Sequence, residues 1–175
     1  MTDILDTLKA RRSCRAYTAQ PVGKDELAKI IEAGTFAASG MGKQSAVIVA
    51  VTDRETRDRL SAMNAAALEQ SSAGTDPFYG APVVLVVLAD RSVATYVYDG
   101  SLVLGNMMNE AASLGLGSCW IHRAKQMFES DAGKALLARW GITGDYEGIG
   151  NLIVGHPDGA LPPAKPRKDC YAYVV

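Results

Sequence analysis

Three short runs of almost uninterrupted apolar residues constrain this chain more than any other feature. They lie at residues 46–51 (AVIVAV), 83–89 (VVLVVLA) and 149–155 (IGNLIVG). Each has the length of a β-strand and lacks the apolar-polar alternation of a strand with one solvated face. Such runs are typical of strands that other elements cover on both faces. The chain is therefore predicted to place a central sheet between layers of helices.

Helical periodicity fills most of the sequence between these runs. Five helices are predicted, at 3–11, at 24–37, from an N-cap at Asp53 to about residue 68, at 94–114 and at 125–139. A short further strand is predicted at 118–121. Helices and strands intermingle along the chain, and no linker separates them into parts. We therefore predict one mixed α and β domain over residues 1–175.

The composition fits a folded domain without a strong overall charge. Of 175 residues, 48% are hydrophobic, and 18 Lys and Arg oppose 19 Asp and Glu, for a formal net charge of -1. Nucleic acid is not expected as a partner, because a nearly balanced charge gives no strong electrostatic field. A membrane is not expected either, because the longest apolar run, 81–89, is too short to cross a bilayer. Three widely spaced cysteines without a zinc pattern, and an N-terminus unlike a signal peptide, favour a cytoplasmic protein without a bound metal.

Two basic clusters stand out against this neutral background. One is Arg11-Arg12-Ser13-Cys14-Arg15, directly after the first predicted helix, and the other is Lys165-Pro166-Arg167-Lys168 in the proline-rich tail. Guanidinium groups suit phosphate because their planar fork donates two parallel hydrogen bonds. Either both clusters hold one shared anion, or each is a solvated basic turn.

Two further segments offer a ligand close approach to the backbone. Residues 115–123 (GLGSCWIHR) are not a dinucleotide fingerprint, because the third glycine is missing and the segment leads from a helix into a strand. Residues 39–44 offer hydroxyl, amide and backbone groups that suit a polar heterocycle, although an ordinary helix-to-strand loop is the alternative. A Cys119 nucleophile with His122 as its base is disfavoured, because side chains three residues apart on a strand point to opposite faces.

Taken in order, these segments resemble the FMN-dependent nitroreductase family. The matching segments are the Arg-Arg-Ser opening, AASGMGKQ, DPFYGAPVVLVVLAD, DGSLVLGNMMNEAASLGLGSCWIHR and KPRKD. The resemblance covers nearly the whole chain and implies an α+β nitroreductase fold. In that fold a mixed central sheet carries helices on both faces, and a C-terminal strand is exchanged with the dimer partner. The resemblance also implies a homodimer with FMN at the subunit interface.

The resemblance implies which residues bind the cofactor. Both chain ends are expected to hold the FMN phosphate, through Arg11, Arg12, Ser13, Arg15, Lys165 and Arg167. The loop that lies against the flavin from the partner subunit is matched by Ser39, Gly40 and Gln44. The segment beside the isoalloxazine ring is matched by Trp120, Ile121 and His122. A polar side chain at the pyrimidine edge of the ring is matched by Asn64.

The implied activity is ping-pong hydride transfer in which NADH or NADPH reduces FMN and leaves before a small-molecule electron acceptor enters. A nitroaromatic, a quinone or a similar compound is the expected acceptor. No catalytic side chain is expected, because the cofactor carries the chemistry. The loop 39–46 departs from the family pattern, since Gly42 replaces the usual Asn and Ser45-Ala46 follow Gln44. These departures favour an alternative function, a flavin-binding storage or sensor protein without turnover. An interaction module with basic patches is a third interpretation, against which the buried strands argue.

Overall fold

A computed structural model describes residues 3–67 and 76–175. Its elements are α1 (Ile4–Ala10), α2 (Lys24–Thr35), β1 (Ala46–Val51), α3 (Arg54–Ala66), β2 (Val83–Asp90), α4 (Tyr96–Ser113), β3 (Gly117–Ile121), α5 (Ala124–Glu129), α6 (Asp131–Arg139) and β4 (Tyr146–Gly155). The predicted N-cap of α3 is present, since the Asp53 carboxylate accepts from the Thr56 N–H at 2.8 Å. The structure therefore confirms the predicted strands and most of the predicted helices.

The four strands form one sheet in the order β1-β2-β4-β3. All three pairings are antiparallel, with Val49 opposite Val86 and Cys119 opposite Ile153, for example. The mixed sheet implied by the resemblance is thus not formed by β1 to β4. Parallel pairing among the described residues is limited to the isolated bridge between Ser13 and Ser118. In the connections β1-α3-β2 and β3-α5-α6-β4, the second strand begins at the same end of the sheet where the first strand ended. The two strands therefore run in opposite directions and pair antiparallel.

Helices cover both faces of the sheet, as predicted. Helices α2 and α4 cover one face, where Ile30 and Met107 are fully buried in one cluster with Leu85. Helices α3, α5 and α6 cover the other face, where Leu60 is buried with Val86. Alternate residues of β2 thus enter two different apolar layers, which explains why its sequence shows no polar alternation.

Strand β1 is less covered than its sequence predicts. It lies at an edge of the sheet, where only Val51 is buried and Ala50 is exposed. An apolar run predicts coverage of the two sheet faces and carries no information about how many neighbours flank the strand. Its half-burial follows from an outer edge with which no described segment pairs, whereas β3, at the opposite edge, is mostly buried and has Ser13 and Cys14 beside it.

The helix predicted at 125–139 is two helices that meet at Ser130. The Ser130 backbone is extended there, and its hydroxyl accepts from the Gly133 N–H at 3.1 Å and donates to the Met127 carbonyl at 2.6 Å. A Cβ on Gly133 would lie 2.1 Å from that same carbonyl oxygen, so the close approach requires glycine. The prediction of one helix was wrong because both halves keep their apolar residues in the same core, and this serine N-cap interrupts them.

The chain after β4 runs over the surface. Residues 161–175 are exposed and form no strand within the single described chain. The exchange of a C-terminal strand between subunits therefore stays a prediction. In the two described ranges, no helix combines the length and apolar character that a membrane crossing requires.

Candidate cofactor site

The two basic clusters line one open cleft of about 760 Å³. Its basic residues are Lys9, Arg11, Arg12, Arg15, Lys165 and Arg167. Ser13 and the tail residues Pro162 and Pro163 complete much of the wall, and no acidic side chain lies among the described lining residues. The cleft is therefore strongly electropositive in a chain that is nearly neutral overall, as the interpretation of one shared anion requires.

The extended segment after α1 brings the two chain ends together. At the start of β3, the Cys14 N–H donates to the Ser118 carbonyl at 2.9 Å, and just after β4 the His156 carbonyl accepts from the Thr18 N–H at 2.9 Å. Gly117 permits this approach, since a Cβ there would lie 2.7 Å from the Cys14 Sγ. The N-terminal cluster is thus fastened beside the point where the tail leaves the sheet.

Tyr17 and Arg12 stiffen this segment. The Tyr17 hydroxyl donates to the Cys14 carbonyl at 2.8 Å, and burial raises its pKa, so it remains a donor at all ordinary pH values. Arg12 Nη1 donates to the Lys9 and Arg11 carbonyls, both at 2.6 Å. In the described part of the chain, the Arg12 Nε–H is buried without an acceptor. A buried donor without a partner at the wall of a cationic cleft fits a bound anion.

The loop between α2 and β1 contains a single 3₁₀ turn, Gly40–Gly42, and is anchored by Asp99 of α4. The buried Asp99 carboxylate accepts from the Gly40 N–H at 3.0 Å, the Ser45 hydroxyl at 2.7 Å and the Thr95 hydroxyl at 3.1 Å. Burial alone raises the pKa of Asp99, but these three donors outweigh it and hold the pKa below its usual value. A Cβ on Gly40 would lie 2.3 Å from the Thr95 hydroxyl oxygen, so glycine is required for this contact.

Replacing Asp99 with Asn is expected to destabilise the protein by about 1–3 kcal/mol at neutral pH, because one amide oxygen cannot accept from all three donors. A carboxylate with a depressed pKa stabilises the folded state above its unfolded pKa, and this stabilisation is lost as pH falls through the folded pKa. Urea unfolding should therefore show the largest difference between wild type and D99N at neutral pH, shrinking below about pH 4. The matched control is Asp145→Asn at an exposed carboxylate. A D99N variant no less stable than D145N would contradict the anchoring role.

The loop residues line a different cavity from the basic cleft. Ser39 and Gln44 border a cavity of about 410 Å³ with Asp99 and Val103, and its lining shares no residue with the cleft. The Ser39 hydroxyl accepts from the Gln44 N–H at 3.0 Å. Within one chain, therefore, the structure does not bring this loop to the proposed phosphate site. The resemblance implied the same separation, because it assigns the loop to the flavin of the partner subunit.

The end of β3 presents the segment predicted to flank the flavin ring. Trp120 is half-buried on the α2 and α4 face, the Ile121 side chain is buried on the opposite face, and His122 is exposed. The Ile121 side chain is therefore not available to a ligand. The Cys119 thiol is buried in the same layer as Ile121 and lies 3.8 Å from the Trp120 carbonyl. Cys119 and His122 therefore lie in different surroundings: the thiol is in the core, and the imidazole is exposed one residue past the end of β3.

Asn64 of α3 is fully buried beneath this segment. Its amide nitrogen donates to the His122 carbonyl at 2.7 Å, and its amide oxygen accepts from Arg123 Nη2 at 2.7 Å and Nε at 3.2 Å. Its polar atoms are thus engaged within the chain. Asn64 orients the backbone and guanidinium at the end of β3, and its direct contact with a flavin stays a prediction.

The fold and this site can be compared with known proteins. A model of the nitroreductase family matches residues 8–156. This chain belongs to the nitroreductase family. Among the curated members, it is 31% identical over 186 residues to the NADPH-flavin oxidoreductase of Vibrio harveyi, covering 99% of this chain and 73% of that protein. It is 29% identical over 180 residues to the FMN reductase (NAD(P)H) of Bacillus subtilis, covering 90% of this chain and 67% of the relative.

Solved structures of nitroreductases share the fold over the full length. A nitroreductase with bound FMN from Bacteroides fragilis superposes with a TM-score of 0.90 at 27% identity, and all of both chains is covered. A nitroreductase with bound FMN from Desulfitobacterium hafniense gives a TM-score of 0.88 at 26% identity, again over all of both chains. The α+β nitroreductase fold inferred from the sequence is thereby confirmed.

Two residues of this candidate site escaped sequence reasoning. Asp99 stands as one acidic residue in the first turn of α4, a position that a sequence favours for its helix dipole alone. Arg123 has a left-handed backbone, with φ of 74°, which the local sequence does not predict because it contains no glycine at that turn. The available signal for Asp99 was a single acidic residue within the mainly apolar first half of α4, residues 96–104. For Arg123 the only signal was its place directly after Trp120-Ile121-His122.

Proposed function

We propose that this chain is an FMN-dependent NAD(P)H oxidoreductase of the cytoplasm, working as a homodimer. It passes hydride from NADH or NADPH by way of FMN to a nitroaromatic, a quinone or a similar small acceptor. The observation that carries the proposal is the cationic cleft in which both chain ends meet. The relatives named as flavin oxidoreductase and FMN reductase, and the nitroreductase structures with bound FMN, support the same cofactor.

The chain's own residues bind and orient the cofactor. Arg11, Arg12, Ser13, Arg15, Lys165 and Arg167 would hold the phosphate, and the buried, unpartnered Arg12 Nε–H fits an anion there. Trp120, Ile121 and His122 would flank the ring, supported from behind by Asn64. Bound FMN supplies the hydride chemistry, so the protein needs no acid or base of its own. Ser39, Gly40 and Gln44 would approach the flavin of the partner subunit.

Exposed apolar side chains support the homodimer. Phe36, at the end of α2, is 80% exposed. Ile4 of α1 is 77% exposed and Tyr98 of α4 is 72% exposed. Val97 and Leu102 continue the exposed outer face of α4, whose opposite face packs on the sheet. A large exposed apolar surface marks a protein contact. Pairing through this surface also fits the loop 39–44, whose Ser39 and Gln44 border a different cavity from the chain's own cleft.

Anaerobic reduction of the purified, FMN-loaded protein tests the proposal. The protein is expected to be yellow and to bleach when NADH or NADPH is added, and a nitroaromatic or quinone should restore the colour. Colour that neither nicotinamide bleaches would contradict the enzyme and indicate a flavin-binding storage or sensor protein. Failure to take up FMN at all would contradict both and leave the interaction module.

A further inference from the structure

We infer that the cavity at the end of β3 is an anion subsite in which Arg123 selects electron acceptors that carry a carboxylate on a single aromatic ring. This inference rests on the proposed function and specifies its acceptor. The cavity measures about 340 Å³ and is distinct from the phosphate cleft, with which it shares no lining residue. It borders Trp120 and His122, the side chains predicted to flank the flavin ring. A group bound here would therefore sit beside the reacting part of the cofactor.

The charges around the cavity leave one cation without an acidic partner. Glu147 is the acidic lining residue, and it is buried with its Oε2 2.9 Å from Lys125 Nζ and 4.0 Å from Arg91 Nε. The ion pair with Glu147 raises the pKa of Lys125, so the Lys125 ammonium stays charged at neutral pH and lies directly against the Glu147 carboxylate. Arg123 instead contacts a neutral amide, that of Asn64. Among the described residues no carboxylate lies within ion-pair distance of Arg123, so its charge is available to a ligand.

The guanidinium of Arg123 is held in place before any ligand arrives. Two of its nitrogens donate to the Asn64 amide oxygen, and Asn64 is itself fully buried and bonded to the His122 carbonyl. The left-handed backbone of Arg123, with φ of 74°, directs the chain from β3 into α5. A strained backbone that the surrounding structure maintains is typical of functional sites. A preorganised guanidinium binds an anion with less loss of side-chain freedom than a mobile one.

The remaining wall indicates the class of molecule. Trp120 and Ile149 provide aromatic and apolar surface, and Ser101 and Gln126 provide neutral polar groups. Val97 adds apolar surface from the outer face of α4, which the proposed homodimer also uses. A volume of about 340 Å³ is at the lower end for small-molecule sites, so one substituted ring fits and a whole dinucleotide does not. Apolar walls with one fixed cation suit a planar ring that bears an anionic group. A charged acceptor such as an aromatic nitrocarboxylate meets both requirements.

The test compares two acceptors that differ in charge and hardly in shape, para-nitrobenzoate and para-nitrobenzamide, with the FMN-loaded dimer. The ratio of their kcat/KM values is expected to fall about tenfold or more in Arg123→Gln, as expected for a lost hydrogen bond to a charged group. Arg123→Lys should keep part of the preference, since it retains the charge but not the fork that Asn64 orients. The matched control is Arg59→Gln, which removes the same charge from an exposed position on α3. Added salt should lower the wild-type ratio, because it screens the attraction.

Each result decides the inference. An acceptor ratio of kcat/KM values in R123Q within twofold of the wild type would overturn the inference. A change confined to the ratio of the kcat/KM values for NADPH and NADH would also overturn it, because it would assign the cation to the phosphate of the reductant. If R123Q does not fold, benzoate and benzamide serve as competing inhibitors of the wild type, and equal inhibition overturns the inference. Wild-type protein that neither nicotinamide bleaches overturns the proposed function itself. If the wild type is bleached and R123Q has the same acceptor ratio as the wild type, only the anion subsite is contradicted and the proposed function stands.

Discussion

Replacing Arg11 and Arg167 together with alanine is expected to weaken FMN binding by about a hundredfold or more. The two residues come from opposite ends of the chain and line the same cationic cleft. A hydrogen bond to a charged group contributes about 1.5–3 kcal/mol, and each 1.4 kcal/mol is a factor of ten in affinity. Each single variant should therefore lose about tenfold to a hundredfold. Titration of the apoprotein with FMN, followed by flavin fluorescence, measures the effect.

The control for this pair is Arg59→Ala, at an exposed arginine of α3 outside the cleft. It should bind FMN like the wild type, which separates a local loss of ligands from a change in overall charge. Added salt should weaken FMN binding in the wild type more than in the double variant, because fewer cations then face the phosphate. Unchanged affinity in both R11A and R167A would remove the assignment of the phosphate to this cleft.

Deletion of residues 170–175 is expected to weaken the dimer and lower its thermal midpoint by about 6–12 °C. The segment ends in Tyr171, Tyr173, Val174 and Val175, all of which are exposed in the single chain. Burying a few such side chains against a partner contributes about 3 kcal/mol or more, and a domain of this size changes its midpoint by about 2–4 °C per kcal/mol. Strand addition to the partner's sheet edge would also satisfy the backbone groups of the tail.

Light scattering at micromolar concentration and thermal unfolding, both with FMN present, measure this effect. A matched variant replaces 170–175 with a glycine-serine stretch of equal length and should behave like the deletion, because it keeps the chain length and loses the apolar side chains. A truncated protein with unchanged dimer mass and midpoint would show that the tail is a loose end. A full-length protein that is a clean monomer and still holds FMN would contradict the homodimer itself.

Local patterns were sufficient to predict the type of most elements. The apolar runs of β2 and β4 predicted buried strands because their side chains enter two apolar layers, and periodicity with an Asp53 cap predicted α3. Prediction was wrong at Ser130, where two local signals conflicted. The apolar periodicity continues through Ser130 and predicts one helix, whereas the serine N-cap begins a second one. The nitroreductase family was indicated by the order of short motifs along the chain, which depends on no contact between distant segments.

The tertiary structure alone decided which groups meet. Strand order placed β1 at an edge, and the pairing of residues 13–18 with the ends of β3 and β4 brought both basic clusters into one cleft. Asp99 reaches Gly40 across 59 positions of sequence, and Asn64 reaches Arg123 across the same separation. Element types follow from side chains a few residues apart, and so the sequence by itself determined them. The anchors of the site follow from hydrogen bonds between distant segments, which exist only once the sheet has brought those segments together.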